Sequence, residues 1–124
     1  MNSFIEKLKT SYSYQSSEDG IILHTPIMYT YADHSFSFFI KRSEGDGFTV
    51  TDRGQTLDYL RENADPNKYG EKIAKICEHF GIELIGREFV GKLSSLESGQ
   101  TMRNLHKFMG AMNIIANIYI VASL

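Results

Sequence analysis

A candidate catalytic motif lies where a strand-like run meets a helix-like run, at Asp52-Arg53-Gly54. A carboxylate at such a position can act as a metal ligand or as a general acid or base. The same residue types also build the joint between a strand and a helix, because Asp and Thr side chains accept hydrogen bonds from the free N–H groups of a helix and glycine permits a sharp turn. We favour this structural interpretation, in which Thr51 or Asp52 is the N-cap of a helix over residues 54–63 and Gly54 makes the turn.

A nuclease site would need several carboxylates that converge on one point, often with a lysine nearby. The sequence contains no acidic residue followed two positions later by lysine, which is a common form of such sites. Asp58 and Glu62 are four residues apart and can share a helix face, but Arg61 lies close by and such pairs are mostly exposed surface. We therefore predict no metal site and no catalytic residue, and we rank an enzyme around Asp52, such as a small nuclease, third among the functions considered.

The other residues with metal-binding or nucleophilic chemistry are scattered along the chain. None of the histidines, at positions 24, 34, 79 and 106, lies four residues from another or close to a second cysteine, so the sequence indicates no zinc site. Cys77 lies on the apolar face of a predicted helix, where we expect a buried and unreactive thiol. The sequence lacks the glycine-rich and serine motifs of nucleotide-binding and hydrolase sites, and we expect no cofactor.

A basic stripe is the first candidate interaction surface. Lys68, Lys72, Lys75 and His79 follow the spacing of one helix face. This face can meet a phosphate backbone or an acidic protein. The alternative, which we favour, is an ordinary solvated face in which Glu71 pairs with Lys75.

An apolar stripe on the predicted C-terminal helix is the second candidate. Its residues follow a 3-4-3-4-3 spacing, the pattern of paired helices, and comprise Met102, Leu105, Met109, Met112, Ala116 and Tyr119. The alternative is that the stripe packs within the chain. Because the last turns of the helix are apolar on nearly all sides, a small sheet would not cover them. We therefore predict a homodimer or protein-partner interface formed by Met102, Leu105, Met109, Met112 and Tyr119.

The elements that must position these residues follow from hydrophobic periodicity and turn residues. They are a helix over 3–13, strands over 21–31, 35–41 and 48–51, helices over 54–63 and 66–80, a short strand with its continuation over 82–93, a helix over 98–121, and turns at 15–20 and 32–34. The order α-β-β-β-α-α-β-α, without a repeat or linker, predicts a single α+β domain over residues 1–124. We expect a small, mainly antiparallel sheet packed by helices, with a long apolar C-terminal helix.

Strand 35–41 has the clearest alternation in the chain. We predict that it pairs antiparallel with strand 48–51 across a hairpin loop at 42–47, with one apolar face made of Phe36, Phe38, Ile40, Phe48 and Val50. Pro26 predicts an edge position or a break near it, since proline cannot donate to a strand ladder. Residues 82–93 are interrupted by Gly86 and Gly91.

Three residues predict the limits of the helix over 66–80. Asp65 can cap it, Pro66 suits its first turn, and Gly81 ends it.

Composition says more about the cellular compartment of the protein than about its biochemical activity. The chain carries 13 basic and 15 acidic residues, a net charge of −2, which predicts neither a nucleic-acid nor a membrane partner. The single cysteine and an N-terminus without the apolar core of a signal peptide predict a reducing, cytoplasmic setting. The apolar run over 108–124 is broken by Asn113 and Asn117 and is shorter than the roughly 20 residues that span a bilayer.

Residues 24–60 resemble an uncharacterised domain family of bacteria and their phages, a domain of unknown function. The resemblance lies in Thr25-Pro26, the strand pair and the T-D-x-G-x-T-L junction over 51–57, and it extends weakly over roughly residues 20–121. Arg53 departs from the acidic residue or asparagine more frequent there, which argues against a carboxylate pair. The resemblance transfers no catalytic residue and implies the cytoplasm of a bacterium or a phage-infected bacterium.

These observations rank three functions. We predict first a non-enzymatic phage or mobile-element accessory protein that acts by protein binding, such as an inhibitor of a host defence enzyme of the anti-CRISPR type. The second is a nucleic-acid-binding regulator that uses Lys68, Lys72 and Lys75. The enzyme around Asp52 is the third.

Overall fold

The computed structural model describes residues 2–28, 35–43, 47–93 and 98–123; for residues 2, 3, 26–28, 35, 36, 98 and 121–123 it describes the backbone only. The helices are α1 (Asn2–Ser11), α2 (Gln55–Asn63), α3 (Gly70–Phe80), α4 (Ser98–Ala116) and α5 (Ile118–Ser123). The strands are β1 (Ser13–Ser16), β2 (Gly20–Met28), β3 (Ser35–Arg42), β4 (Phe48–Thr51), β5 (Glu83–Ile85) and β6 (Glu88–Lys92). A turn of 3-10 helix covers Pro66–Tyr69. The fold is α+β, as predicted.

The described residues form a six-stranded antiparallel sheet with strand order β1-β2-β3-β4-β6-β5. β3 and β4 pair as predicted, with Ile40 opposite Val50 and Arg42 opposite Phe48. The sheet continues through β6 to β5, which lies at one edge, while β1 lies at the other. The sheet is therefore twice as wide as the three strands predicted before residue 82.

One face of the sheet is covered by helices, and its side chains form the sheet side of the core. The covered side chains alternate along each strand, as the two-residue period of a strand requires. They include Leu23, Phe38, Ile40, Phe48, Val50, Phe89 and Leu93, each at most 5 % exposed. The side chain of Phe36, which was predicted to share this face, lies outside the described residues.

Helix α4 packs at the centre of the covered face. It contacts α1, α2, α3, α5 and β6. The Phe108 ring meets the Phe38 ring edge-on at 5.6 Å between centroids. A Cβ at Gly91 would lie 2.8 Å from Cδ2 of Phe108, so the absence of a side chain at this strand position is what lets the helix approach.

The elements near both ends of the chain differ from the prediction, for different physical reasons. The helix over 98–121 is two helices, because at Asn117 the ladder tightens, with the Ile120 N–H donating to the Asn117 carbonyl. The Asn117 side chain also donates to the Asn113 carbonyl, a bond that competes with regular helix geometry. Strand β1 was predicted as a helix end followed by a turn, and its polar sequence gives no strand signal.

The predicted break near Pro26 and the predicted helix end at Gly81 agree with the structure, whereas the helix predicted over 66–80 is a 3-10 turn followed by α3, which begins at Gly70. The register between β2 and β3 shifts between His24 and Met28, which places a break around Pro26, although β2 is an inner strand. Asp65 caps the 3-10 turn by accepting from the Asn67 N–H at 3.0 Å, and Gly81 follows α3. Gly86 lies in the turn between β5 and β6.

Several predicted features lie outside the described residues: the turn at 32–34 with its histidine, and positions 44–46 of the hairpin loop. None of the helices in the described part of the chain combines the length and apolar character that crossing a bilayer requires.

Candidate functional site: an apolar groove at the β5 edge

The Asp52 carboxylate is fully buried at the junction of β4 and α2. It accepts hydrogen bonds from the backbone N–H groups of Gly54 (3.0 Å), Thr56 (3.0 Å) and Phe89 (2.9 Å). The first two lie at the start of α2 and the third lies in β6. One side chain therefore joins β4, α2 and β6, and its negative charge is favourable beside a helix N-terminus.

The N-cap position of α2 is Gly54, with φ 83°, rather than Thr51 or Asp52 as predicted. Asp52 nevertheless satisfies a free N–H of the first turn, from two residues before the N-cap. Thr51 does not reach the helix, since its hydroxyl accepts from the Arg53 N–H and donates to Glu88. The helix begins one residue later than predicted because Gly54 adopts the left-handed conformation.

The burial of Asp52 determines what chemistry it can do. Each carboxylate oxygen already accepts at least one backbone N–H, and the side chain has no exposed surface. A metal ion or substrate would have to displace bonds that hold three elements together. Among the described residues, no three His, Cys, Asp or Glu side chains lie close enough to hold a metal ion.

Arg53 has φ 57°, a backbone conformation that residues other than glycine rarely adopt. Its guanidinium lies 4.2 Å from the centre of the Phe39 ring, on the sheet face opposite the helices. Phe39 is 8 % exposed as a result of this cover. Arg53 thus shields an aromatic ring on the otherwise open face of the sheet.

The basic stripe is exposed along its length, at Lys68, Lys72 and Lys75. The Lys68 ammonium lies 5.8 Å from the centre of the Tyr69 ring. At 100° per residue, Lys72 and Lys75 lie on a different side of α3 from Ile73 and Cys77, which face the protein. The stripe is therefore a separate surface from the groove described below.

The apolar stripe on α4 packs inside the chain, which corrects the predicted interface. Leu105 and Met112 have no exposed surface and Met109 is 4 % exposed, while Met102 and Tyr119 pack against the same core. The Tyr119 hydroxyl lies 3.2 Å from that of Tyr59 in α2. The six-stranded sheet and the surrounding helices cover this stripe, while Ile114 on the outer side of α4 remains 46 % exposed.

An apolar groove lies between α2, the 3-10 turn, α3 and β5. It has a volume of about 560 Å³, within the range of ligand and side-chain pockets. Its lining residues are Leu57, Pro66, Asn67, Gly70, Ile73, Ala74, Cys77, Glu78, Ile82 and Leu84. Burial raises the pKa of the Cys77 thiol, which keeps it neutral in this apolar setting.

Strand β5 forms one wall of the groove and ends the sheet. Leu84 is paired with Phe89, so both side chains point to the helix-covered face, yet Leu84 is 45 % exposed. Its neighbour Ile85 is 57 % exposed and points to the opposite face. An edge strand with two exposed large apolar side chains is open to pairing with another chain.

Two exposed acidic residues lie near the β5 edge. Glu78 lines the groove, and Glu83 precedes Leu84 in β5 and points to the opposite face of the sheet. Neither forms an ion pair within the described part of the chain. The nearby Arg87, in the turn after β5, is paired with Asp58 of α2.

The opposite edge of the sheet is different in character. Strand β1 has the polar sequence Ser-Tyr-Gln-Ser over 13–16. Its exposed aromatic residue, Tyr14, has the Lys9 ammonium 5.5 Å from its ring centre. A charged residue over the edge discourages pairing there, which leaves β5 as the apolar edge of the described sheet.

Sequence reasoning missed the groove. The signal was Leu84-Ile85 in a short strand that cannot bury both side chains, combined with Glu83 in place of an edge-protecting lysine. Recognising it required the strand order, because β5 becomes an edge only through the pairing of β6 with β4.

The fold and this surface define the class of the protein: an α+β domain whose sheet is covered by helices on one face and left open at an apolar edge. The chain belongs to the family described as Domain of unknown function DUF1828, whose model matches residues 25–115. The match includes the Asp52 junction, the groove, β5 and most of α4. No curated protein and no solved structure gives a significant match.

Proposed function

We propose that this protein is a non-enzymatic binding domain that docks a segment of a partner protein in the apolar groove beside β5. The observation that supports it most directly is Leu84, which sits on the core face of the sheet and is 45 % exposed at the groove wall. Completing the burial of Leu84 and of Ile85 would each contribute about 1 kcal/mol to the free energy of binding, and the groove supplies further apolar area. An exposed apolar surface rimmed by polar residues is typical of protein-interaction sites.

The cellular role we propose is that of a phage or mobile-element accessory protein in the bacterial cytoplasm. Its partner would be a host defence enzyme, such as a CRISPR effector, which the protein would inhibit by occupying a surface rather than by chemistry. This part of the proposal rests on the resemblance of residues 24–60 to a family of bacteria and phages. The groove supports the mode of action and is neutral about the identity of the target.

A capture experiment with matched variants tests the proposal. Wild-type protein, Leu84→Lys and Ile114→Lys are each immobilised and exposed to lysate from phage-infected bacteria, with quantitative mass spectrometry as the readout. Ile114 lies on α4 and is 46 % exposed, which matches the exposure of Leu84. We expect a protein that wild type and Ile114→Lys retain equally and Leu84→Lys loses. Equal retention by all three would contradict docking at the groove.

The exposed lysines support a second candidate function, a nucleic-acid-binding regulator. Lys68, Lys72 and Lys75 are all exposed; Lys72 and Lys75 lie on α3, and Lys68 lies in the 3-10 turn that precedes it. This candidate predicts binding to DNA or RNA that weakens steeply with salt and is lost in the double variant Lys72→Glu, Lys75→Glu. Binding that is absent at low salt, or that survives the double variant, would eliminate it.

A further inference from the structure

We propose, on the basis of the proposed function, that the docked segment is an extended strand added antiparallel to β5, with the side-chain pattern apolar-apolar-basic-apolar. The outward backbone groups of β5 would supply the hydrogen bonds, and the groove would take alternate side chains. This mode is β-strand addition, in which the main chain contributes affinity and pockets contribute specificity.

The edge is available for pairing. β5 is last in the strand order; it is three residues long and begins with Glu83, and its residues Glu-Leu-Ile include no lysine, proline or bulge. All three residues are exposed. By contrast, the β1 edge at the other side of the sheet is polar and has a lysine over its aromatic residue.

The register of β5 determines the pattern. An antiparallel strand would place successive residues opposite Ile85, Leu84, Glu83 and Ile82. The residues opposite Leu84 and Ile82 would point to the covered face, where both of these side chains line the groove, and should be apolar. The residue opposite Ile85 would meet an exposed apolar side chain on the other face, and an apolar residue suits it as well.

The charge of the rim determines the third position. A residue opposite Glu83 would point to the same face of the sheet as Glu83 and would lie beside an exposed carboxylate that has no ion-pair partner in the described part of the chain. Lysine or arginine complements this carboxylate. Such a partly exposed pair contributes mainly to selectivity and association rate.

A second copy of the chain does not fit this register. In the symmetric pair centred on Leu84, the second copy would place Glu83 opposite Ile85 and Gly86 opposite Ile82. A carboxylate would face an apolar side chain, and glycine would leave the groove unfilled there. The pattern therefore indicates a different protein as the occupant.

The test uses fluorescein-labelled eight-residue peptides and the full chain, with fluorescence anisotropy as the readout. The probe peptide has the central residues valine, leucine, lysine and leucine between threonine pairs. We expect its affinity to fall at least tenfold in Leu84→Lys and to be unchanged in Ile114→Lys. N-methylation of alternate backbone nitrogens distinguishes a strand from other conformations, because one alternate set would face β5 and the other would face solvent. We expect one set to abolish binding and the other to leave it nearly intact.

Charge reversal tests the basic position. Replacing the probe lysine with glutamate should weaken binding about three- to fivefold, as expected for an exposed ion pair. Glu83→Lys should reverse this preference, whereas Glu6→Lys, on α1 at the opposite edge of the sheet, should not.

Each outcome decides between the two levels of the proposal. Equal effects of both N-methylated sets would overturn strand addition, and an unreversed preference in Glu83→Lys would overturn the basic position. If the wild type binds no probe while a lysate protein is still lost on Leu84→Lys, the pattern is wrong and groove docking stands. If the probe binds Leu84→Lys as well as wild type and no lysate protein depends on Leu84, the proposed function falls with it.

Discussion

Leu84 and Phe89 are paired across the β5–β6 hairpin and point to the same face of the sheet, yet Phe89 has no exposed surface and Leu84 is 45 % exposed. One strand spacing therefore separates the interior of the core from its open edge. The helices packed on this face cover Phe89 and leave Leu84 open at the groove. A partner strand paired with β5 would place its side chains beside Leu84 and would extend the buried core by one strand.

Asp52→Ala should destabilise the protein by about 3–5 kcal/mol, because three backbone N–H groups at a buried junction lose a charged acceptor. Asp58→Ala removes a carboxylate from the exposed surface of α2 and should cost less than about 1 kcal/mol. Urea unfolding of both variants makes the comparison. A fully stable Asp52→Ala protein that lacks an enzymatic activity of the wild type would show that Asp52 serves catalysis.

Gly91→Ala should lower the free energy of unfolding by about 1–3 kcal/mol, because the added Cβ would lie 2.8 Å from the Phe108 ring. The cost should shrink when Phe108→Leu is combined with it. Gly110→Ala is the matched control: it lies in α4 with no atom within 4 Å of the added Cβ, and alanine there should raise stability by up to about 1 kcal/mol. Equal unfolding midpoints for the two alanine variants would refute the close packing of α4 on β6.

Met112→Ala tests the corrected position of the α4 stripe. Since Met112 is fully buried in the chain, we expect a loss of about 2–4 kcal/mol in unfolding free energy and an unchanged sedimentation coefficient. Ile114→Ala, on the exposed side of the same helix, should change stability by less than about 1 kcal/mol. A stable Met112→Ala protein that dissociates from dimer to monomer would restore the stripe as an interface.

Cys77 reports on the groove. Burial raises the pKa of its thiol, so alkylation by iodoacetamide at pH 8 should be at least tenfold slower in the folded chain than in urea. The pH at which alkylation accelerates should also be higher. Because the folded-state pKa exceeds the unfolded value, stability should decline as pH rises from the ordinary thiol pKa through the raised one. The lysine-containing probe peptide should slow alkylation further, and mass spectrometry measures all three effects. Identical folded and unfolded rate profiles would contradict the burial of Cys77.

Local chemistry made much of the framework predictable. The alternation over 35–41 and 48–51 correctly predicts an antiparallel strand pair. Asp65 and Gly81 mark the two ends of the helical segment over 66–80. Each of these features depends on residues close together in the chain. Asp52 is instructive because its contacts with α2 follow from neighbouring residues, while its bond to Phe89 depends on a strand 37 residues away.

The rest of the fold depends on contacts between distant segments. Strand β1 has no apolar alternation and forms because β2 offers it an edge, as Tyr14 pairs with Leu23. The α4 stripe looked like an interface because its spacing suits helix pairing equally well inside and outside a chain. The groove at Leu84 depends on strand order, which local periodicity does not encode.

Site-specific photo-crosslinking in bacterial cells tests the central claim, docking at the β5 edge, most directly. Benzoylphenylalanine is placed at position 84 in one variant and at position 114, on the equally exposed surface of α4, in the other. The account predicts a crosslinked protein that is specific to position 84, attached through a segment with the side-chain pattern apolar-apolar-basic-apolar. Identical crosslinked species from both positions, or no crosslink at position 84 in cells that express the partner captured by the wild type, would contradict it.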